Sequence, residues 1–293
     1  MPFRKFTAVL FSWLLAAVPA MASGDAGHES LPPYAVPVFN IGPFVVTNSM
    51  IMVWIVAAAI IVVAQLATRN MKLVPSGLQN FVEWLVESVY GYLEGLLGPR
   101  LVKRTFWFMG TAFIFILFSN WFGLVPGVGT IGNVKTDGTF VPYFRGANAD
   151  LNMTLAMSMV FAIMWFYWAI SEIGIKKFLL HIFGPKSKFK GVALAIMILL
   201  FFLVGCIEVI SIMFRPVALT FRLYGNIYAG ETMLESMMGM VGDHKWLAWI
   251  PTLPFYFLEL LVGFIQALVF MLLSAVFLKL ICEDEGGDEE HPG

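Results

Sequence analysis

Charge is what this sequence has least of. Asp, Glu, Lys and Arg make up 13% of its 293 residues, while 59% are hydrophobic. A soluble domain carries about a quarter charged residues and roughly 45–50% apolar ones. The mean hydropathy of +0.83 therefore places the chain in a bilayer. Cysteine is almost absent: Cys206 and Cys282 both fall in or beside apolar runs, which argues against a disulfide framework or a thiolate metal cluster. The histidines (His28, His181, His244, His291) all lie outside the apolar runs, so they offer no buried ligand pair. There is no GxxxxGK[ST] loop, which removes ATP chemistry from this chain. No cofactor, metal or nucleic-acid partner is expected. There is also no internal repeat of the kind that marks many secondary transporters.

What remains is a series of apolar runs. Residues 1–23 read as a cleaved secretory signal: Arg4 and Lys5, a short apolar core from Phe6 to Val18, and Ala20-Met21-Ala22 as the cleavage site. The alternative is an uncleaved first helix, but the core is short of the ~20 residues that cross a bilayer. Residues 24–44 read as a flexible polar segment. Spans are expected at about 45–68, 105–126, 151–173, 191–242 and 249–282, with Asp150 capping the third. The last two exceed one crossing and so are expected to tilt steeply. Residues 76–97 differ: Leu78, Phe81, Val82, Leu85, Val89, Leu93 and Leu96 recur at helical spacing among Gln79, Glu83, Glu87 and Glu94. That is an amphipathic surface helix. The fold class is thus an all-α polytopic membrane protein with five transmembrane helices, one amphipathic helix and an acidic tail at 283–293.

Orientation follows from the basic residues. One side holds Arg69, Lys72, Arg100, Lys103, Arg104, Lys176, Lys177, Lys186, Lys188 and Lys190; the other holds Lys135, Arg145 and Lys245. The basic side is cytoplasmic, which puts the mature N-terminus outside and the tail inside, in agreement with the signal reading.

Against this background the segment Ser211–Glu235, SIMFRPVALTFRLYGNIYAGETMLE, stands out. An arginine at the centre of a membrane segment costs at least ~3 kcal/mol, and intramembrane ionisable groups point to function. At ~100° per residue, Glu208, Ser211, Arg215, Asn226 and Ala229 fall within about 40° of Arg222. Glu231 and Glu235 fall on the opposite face. Gly225, Ala229 and Gly230 would let another backbone approach closely, the alternative being ordinary helix packing. On the last run Glu259 and Gln266 share a face, and antiparallel pairing brings Gln266 near Arg222 and Glu259 near Glu231. Paired carboxylates in an apolar setting can pass protons, so the layout suggests an aqueous path from outside that ends near a fixed cation. The alternative for Arg222 is a structural ion pair with Glu208 or another acid.

FRLYGNIYAGE (221–231) and FIQALVFMLL (264–273) resemble the signature segments of subunit a of the F-type ATP synthase membrane sector, bacterial type. NWFGLVPG (120–127) and ADLNMTLAM (149–157) are similar to its middle spans. The resemblance runs over about 45–282. It implies a non-catalytic stator subunit in a bacterial inner membrane, beside a ring of c subunits and b-type peripheral-stalk subunits, in contact with lipid. Two offset half-channels would carry H+ to and from the ring carboxylates, with Na+ the alternative that the ring subunit decides. The resemblance assigns Arg222 to the family's essential arginine. It assigns Asn226, Glu231 and Gln266 to that site and the outer half-channel, and Glu208 and Ser211 to the inner one. Glu259 departs from a branch with histidine there, although other branches carry an acid. A stand-alone transporter and a structural scaffold are the competing readings. The lack of repeats disfavours the first, and the concentration of ionisable groups in one segment disfavours the second.

Overall fold

A computed structural model describes residues 35–129, 131–134, 140–183, 192–240 and 247–283. The signal expected at 1–23, Lys186, Lys188 and Lys190, and the tail beyond Glu283 lie outside the described residues. Strands β1 (Pro37–Ile41) and β2 (Phe44–Thr47) form an antiparallel hairpin. It occupies the described part of the segment expected to be flexible up to residue 44, whose residues 24–34 lie outside the described ones, and it moves the start of the first span. Phe44–Thr47 is apolar enough to read as membrane, but its backbone is paired to β1. Helix α1 (Asn48–Thr68) follows, with Thr47 Oγ1 accepting from the Met50 amide at 3.4 Å.

Helix α2 (Leu78–Gly123) joins the expected amphipathic helix and second span into one bent element. The bend is at Gly98, with φ +78°. Only glycine takes that conformation without strain. Pro99 then restarts the helix, since its fixed φ and missing N–H suit a first turn. The 78–97 arm buries Val89, Leu93 and Leu97, whereas Phe81 and Trp84 are exposed. Gln79 closes the approach to this arm by bonding both the amide and the carbonyl of Lys72. The span ends at Gly123, short of the expected 126.

Strands β3 (Pro126–Gly129), β4 (Gly132–Val134) and β5 (Phe140–Pro142) and a 3-10 turn at Ala147–Ala149 occupy what was expected to be a loop. β4 and β5 pair antiparallel. Asp150 caps helix α3 (Leu151–Ile173), accepting from the Asn152 amide at 3.0 Å. Gly174, at φ +83°, ends α3 by donating to the Ile170 carbonyl. It leads into the short helix α4 (Ile175–Phe183), within the stretch expected to be a basic loop. The chain continues in α5 (Val192–Gly239) and α6 (Trp249–Glu283), of 48 and 35 residues.

Five of these helices (α1, α2, α3, α5 and α6) are long and apolar enough to cross a membrane. The main core runs between them through Leu93, Val102, Ile116, Leu223, Phe270 and Leu278. Outward faces are equally apolar: Trp54, Ile61, Val62 and Leu66 on α1 are all exposed. An apolar exterior around an apolar core is the pattern of a chain solvated by lipid. The α2–α6 interface is the most extensive, followed by α3–α5 and α5–α6.

Candidate functional site

The site is set by the antiparallel register of α5 and α6. The Arg215 guanidinium carbon lies 4.7 Å from the Phe277 ring centroid, and Asn226 Nδ2 donates to Gln266 Oε1 at 2.8 Å. One turn further on, Gly230 is the seat of the Glu259 carboxylate: a Cβ at residue 230 would collide with it. Three levels of one helix pair are thereby fixed. Gln266 meets Asn226, one turn beyond Arg222 itself. Of the small residues read as an approach surface, Gly230 serves the contact within the chain. Gly225 faces open space.

Arg222 lies at the margin of the packed face of α5. Leu219, Leu223, Ile227 and Gly230 are buried against the bundle, whereas Ser211, Phe214, Phe221, Arg222, Asn226 and Ala229 are exposed. Below Arg222, an open groove of about 240 Å3 runs along α5, lined among others by Ser211, Arg215, Arg222, Leu273 and Phe277. Arg215 is tied down in it. Its Nη2 donates to Glu208 Oε1 at 3.1 Å, and its guanidinium stacks over Trp165 as well as Phe277. Glu208 is therefore the partner of Arg215, not of Arg222.

The opposite end holds the carboxylates. Glu231 and Glu259 line one small cavity with Ser119, Asn120 and Gly146. Its volume of about 10 Å3 is the room that one water needs. Glu259 is 6% exposed. Glu231 lies 3.7 Å from Arg145 Nη2, and Arg145 is only 2% exposed. Asn120 stitches the cavity wall: it donates to the Gly263 carbonyl at 2.9 Å and accepts from Asn148 Nδ2 at 2.7 Å. Tyr256 Oη donates to the Leu124 carbonyl nearby. Ser119 Oγ, Asn148 Oδ1 and Glu231 Oε2 are buried without a hydrogen-bond partner. Buried polar atoms normally have one; of these residues Ser119 and Glu231 line the cavity.

Arg145, Asn120 and Asn148 were not singled out from sequence. Arg145 had been counted as a loop charge that marks the outer side. A basic residue in a non-periodic stretch carries no phase, so only the folded position shows that it is buried. Ser49 Oγ, donating to Asp150 Oδ2 at 2.8 Å, and Asn48 Nδ2, donating to the Pro142 carbonyl at 3.2 Å, tie α1 to the same outer loop. At the other end of the bundle, Arg100 and Arg104 both pair with Glu172.

The sequence that folds into this bundle matches a known family. The profile described as "ATP synthase A chain" covers residues 50–279. The chain belongs to the ATP synthase A chain family. Among its relatives, the ATP synthase subunit a of Protochlamydia amoebophila is 34% identical over 246 residues, which is 82% of each chain. That of Campylobacter jejuni subsp. doylei is 31% identical over 225 residues, 76% of this chain and 85% of that one. The one from Anaeromyxobacter sp. is 31% identical over 254 residues, 84% of this chain but 56% of that one. The chain thus spans little more than half the length of that longer relative. The region matched to the ATP synthase A chain family starts inside α1 and stops inside α6, so it includes both the groove and the cavity.

Proposed function

We propose that this chain is the stator ion-path subunit of a rotary F-type ATP synthase. It offers two offset half-channels to the carboxylates of a c-ring and is held by b-type peripheral-stalk subunits. It does no ATP chemistry itself. The observation that carries the reading is Arg222. It is exposed on one face of the membrane helix α5, one turn from the Asn226 that bonds Gln266, while Glu208 is held by Arg215. A guanidinium keeps its charge even when partly buried, and a ring carboxylate passing that face is the counter-ion it lacks.

The path has three parts. The Glu231–Glu259 cavity lies toward the outer side and receives protons. Arg222 favours the ionised form of the ring carboxylate opposite it, so the carboxylate gives up its proton toward the inner side. The groove by Ser211 leads that proton away past Glu208. The fixed cation also repels a proton hopping directly between the two paths. Each charge moved across 100 mV is worth ~2.3 kcal/mol, and that energy drives rotation only when the direct leak is closed. In this reading the transported ion is H+, with Na+ the alternative that the ring subunit decides. The asymmetry of basic residues supports a bacterial inner-membrane orientation with the N-terminal end of α1 outside and the C-terminal end of α6 in the cytoplasm.

Arg222→Ala tests the reading. The variant is expected to assemble with its partners and to lose ion-driven ATP synthesis in membrane vesicles. Near-normal synthesis by an assembled Arg222→Ala complex would sink it.

A further inference from the structure

We infer that Arg145 is a positioning residue for Glu231, and that its charge holds the outer carboxylate aimed into the cavity. The inference rests on the reading of Glu231 as an outer-path group, and it adds a residue from an entirely different part of the chain.

The geometry has three parts. First, Arg145 Nη2 lies 3.7 Å from Glu231 Oε2. That is close enough for charge to act and too long for a hydrogen bond. Glu231 Oε2 accordingly accepts no hydrogen bond although it is buried. A bidentate arginine–carboxylate fork would fix the carboxylate; this spacing leaves the oxygen free to take and release a proton. Second, the neighbouring Gly146 supplies a bare backbone seat. A Cβ there would come within 2.6 Å of Glu231 Oε1. The dipeptide 145–146 thus holds one carboxylate by charge on one oxygen and by shape on the other. Third, the dipeptide is anchored at both ends. The Phe144 carbonyl accepts from Gly129 N at 3.0 Å, and the Gly146 carbonyl accepts from Ala149 N at 3.1 Å. The guanidinium is carried on a pinned turn.

Other charged and titratable groups face the same place: Glu235 and Tyr224 on α5, Glu259 on α6 and Asp150 at the start of α3. Arg145 is the cation that lies against Glu231 among them.

The test uses the complete ATP synthase reconstituted in liposomes. ATP synthesis is driven by a fixed potassium diffusion potential while the pH facing the outer surface is varied. Arg145→Gln is expected to move that outer-pH profile to more alkaline pH by about one unit or more, the scale on which a single close charge acts. Arg145→Lys, which keeps the charge, should restore most of the parent profile. A purely structural role would lower the rate without moving the profile. Gly146→Ala is a second, independent variant. Gly146 has φ −49° and ψ 127°, which alanine adopts freely, so only the carboxylate seat is disturbed. It too should shift the profile, and it carries the test if Arg145→Gln does not assemble. An unchanged profile in either assembled variant overturns the inference. Arg222→Ala in the same assay separates the two claims: if it makes ATP normally, the proposed function fails. If it is inactive while the Arg145 and Gly146 profiles stay put, only the positioning role fails.

Discussion

At the scale of single residues, the two ends of the site are built from different economies of charge. Arg215 has an acid and two aromatic faces, whereas Arg222, seven residues on, is exposed at the edge of the bundle. Swapping their fates is informative. Arg215→Gln should lower the stability of the α5–α6 pair and leave some ion-driven synthesis, because its contacts are internal. This can be read by comparing the amount of assembled complex with its specific rate; a selective loss of rate at full assembly would contradict it. At the outer end, Glu231→Gln combined with Glu259→Gln should slow proton uptake, since both line one cavity. Passive proton flux through the ring-bound complex, driven from the outer side, is the measurement. Unchanged flux would remove the cavity from the path. Much of this was readable from helical phase. Arg222, Asn226, Glu231, Glu259 and Gln266 fall on faces that 100° steps predict, and the structure brings Asn226 to Gln266 and Glu231 to the cavity of Glu259. Arg145 was not readable. It reaches Glu231 from a loop that has no period, across a sequence separation that no pattern of spacing encodes.

At the scale of elements, the α5–α6 pair is a packed seam whose closeness depends on one hydrogen atom. Gly230 admits the Glu259 carboxylate where any larger side chain would overlap it. Gly230→Ala should therefore destabilise the seam by about 1–3 kcal/mol, the usual cost of overpacking, and Glu259→Ala in the same chain should recover it by clearing the obstruction. Thermal denaturation of the detergent-solubilised complex would show both effects; equal melting of parent and Gly230→Ala would rule out the tight seat. The elements themselves were legible in proportion to their length. Leu151–Ile173 appears where the apolar run and Asp150 place it. The bend at Gly98-Pro99 hides inside one helix because an amphipathic stretch and an apolar one meet there without a loop. The hairpin of β1 and β2 was missed because four apolar residues ahead of a long apolar helix look like more of that helix. IKKFLLHIF was missed for the converse reason, a short helix under a cluster of lysines.

At the scale of the whole molecule, polar groups are sorted to the two ends. Asn48, Ser49, Arg145, Asn148 and Asp150 gather at one end, and Arg69, Lys72, Arg100, Arg104 and Glu172 at the other. This sorting makes a topological prediction. After replacement of Cys206 and Cys282, a cysteine at the exposed Ile131 should react with an impermeant maleimide from the outer face of intact cells. One at the exposed Met71 should react only once the cytoplasmic face is opened. The reverse labelling pattern would invert the molecule and exchange the two paths. Burial of Arg145 sharpens the charge asymmetry, since one of the few outer basic residues is spent inside the fold and leaves fewer on the outer surface.

The length of α5 has a mechanical consequence. Its apolar part, Leu199–Gly239, is 41 residues, or about 60 Å of helix laid through a hydrocarbon layer of about 30 Å. Each residue then advances less than ~1 Å in depth. A thermal slip of the helix along its own axis then moves the guanidinium of Arg222 about half as far in height as along the helix. The charge that must meet a moving target at one level is thus mounted on a ramp that about halves axial jitter in the vertical coordinate.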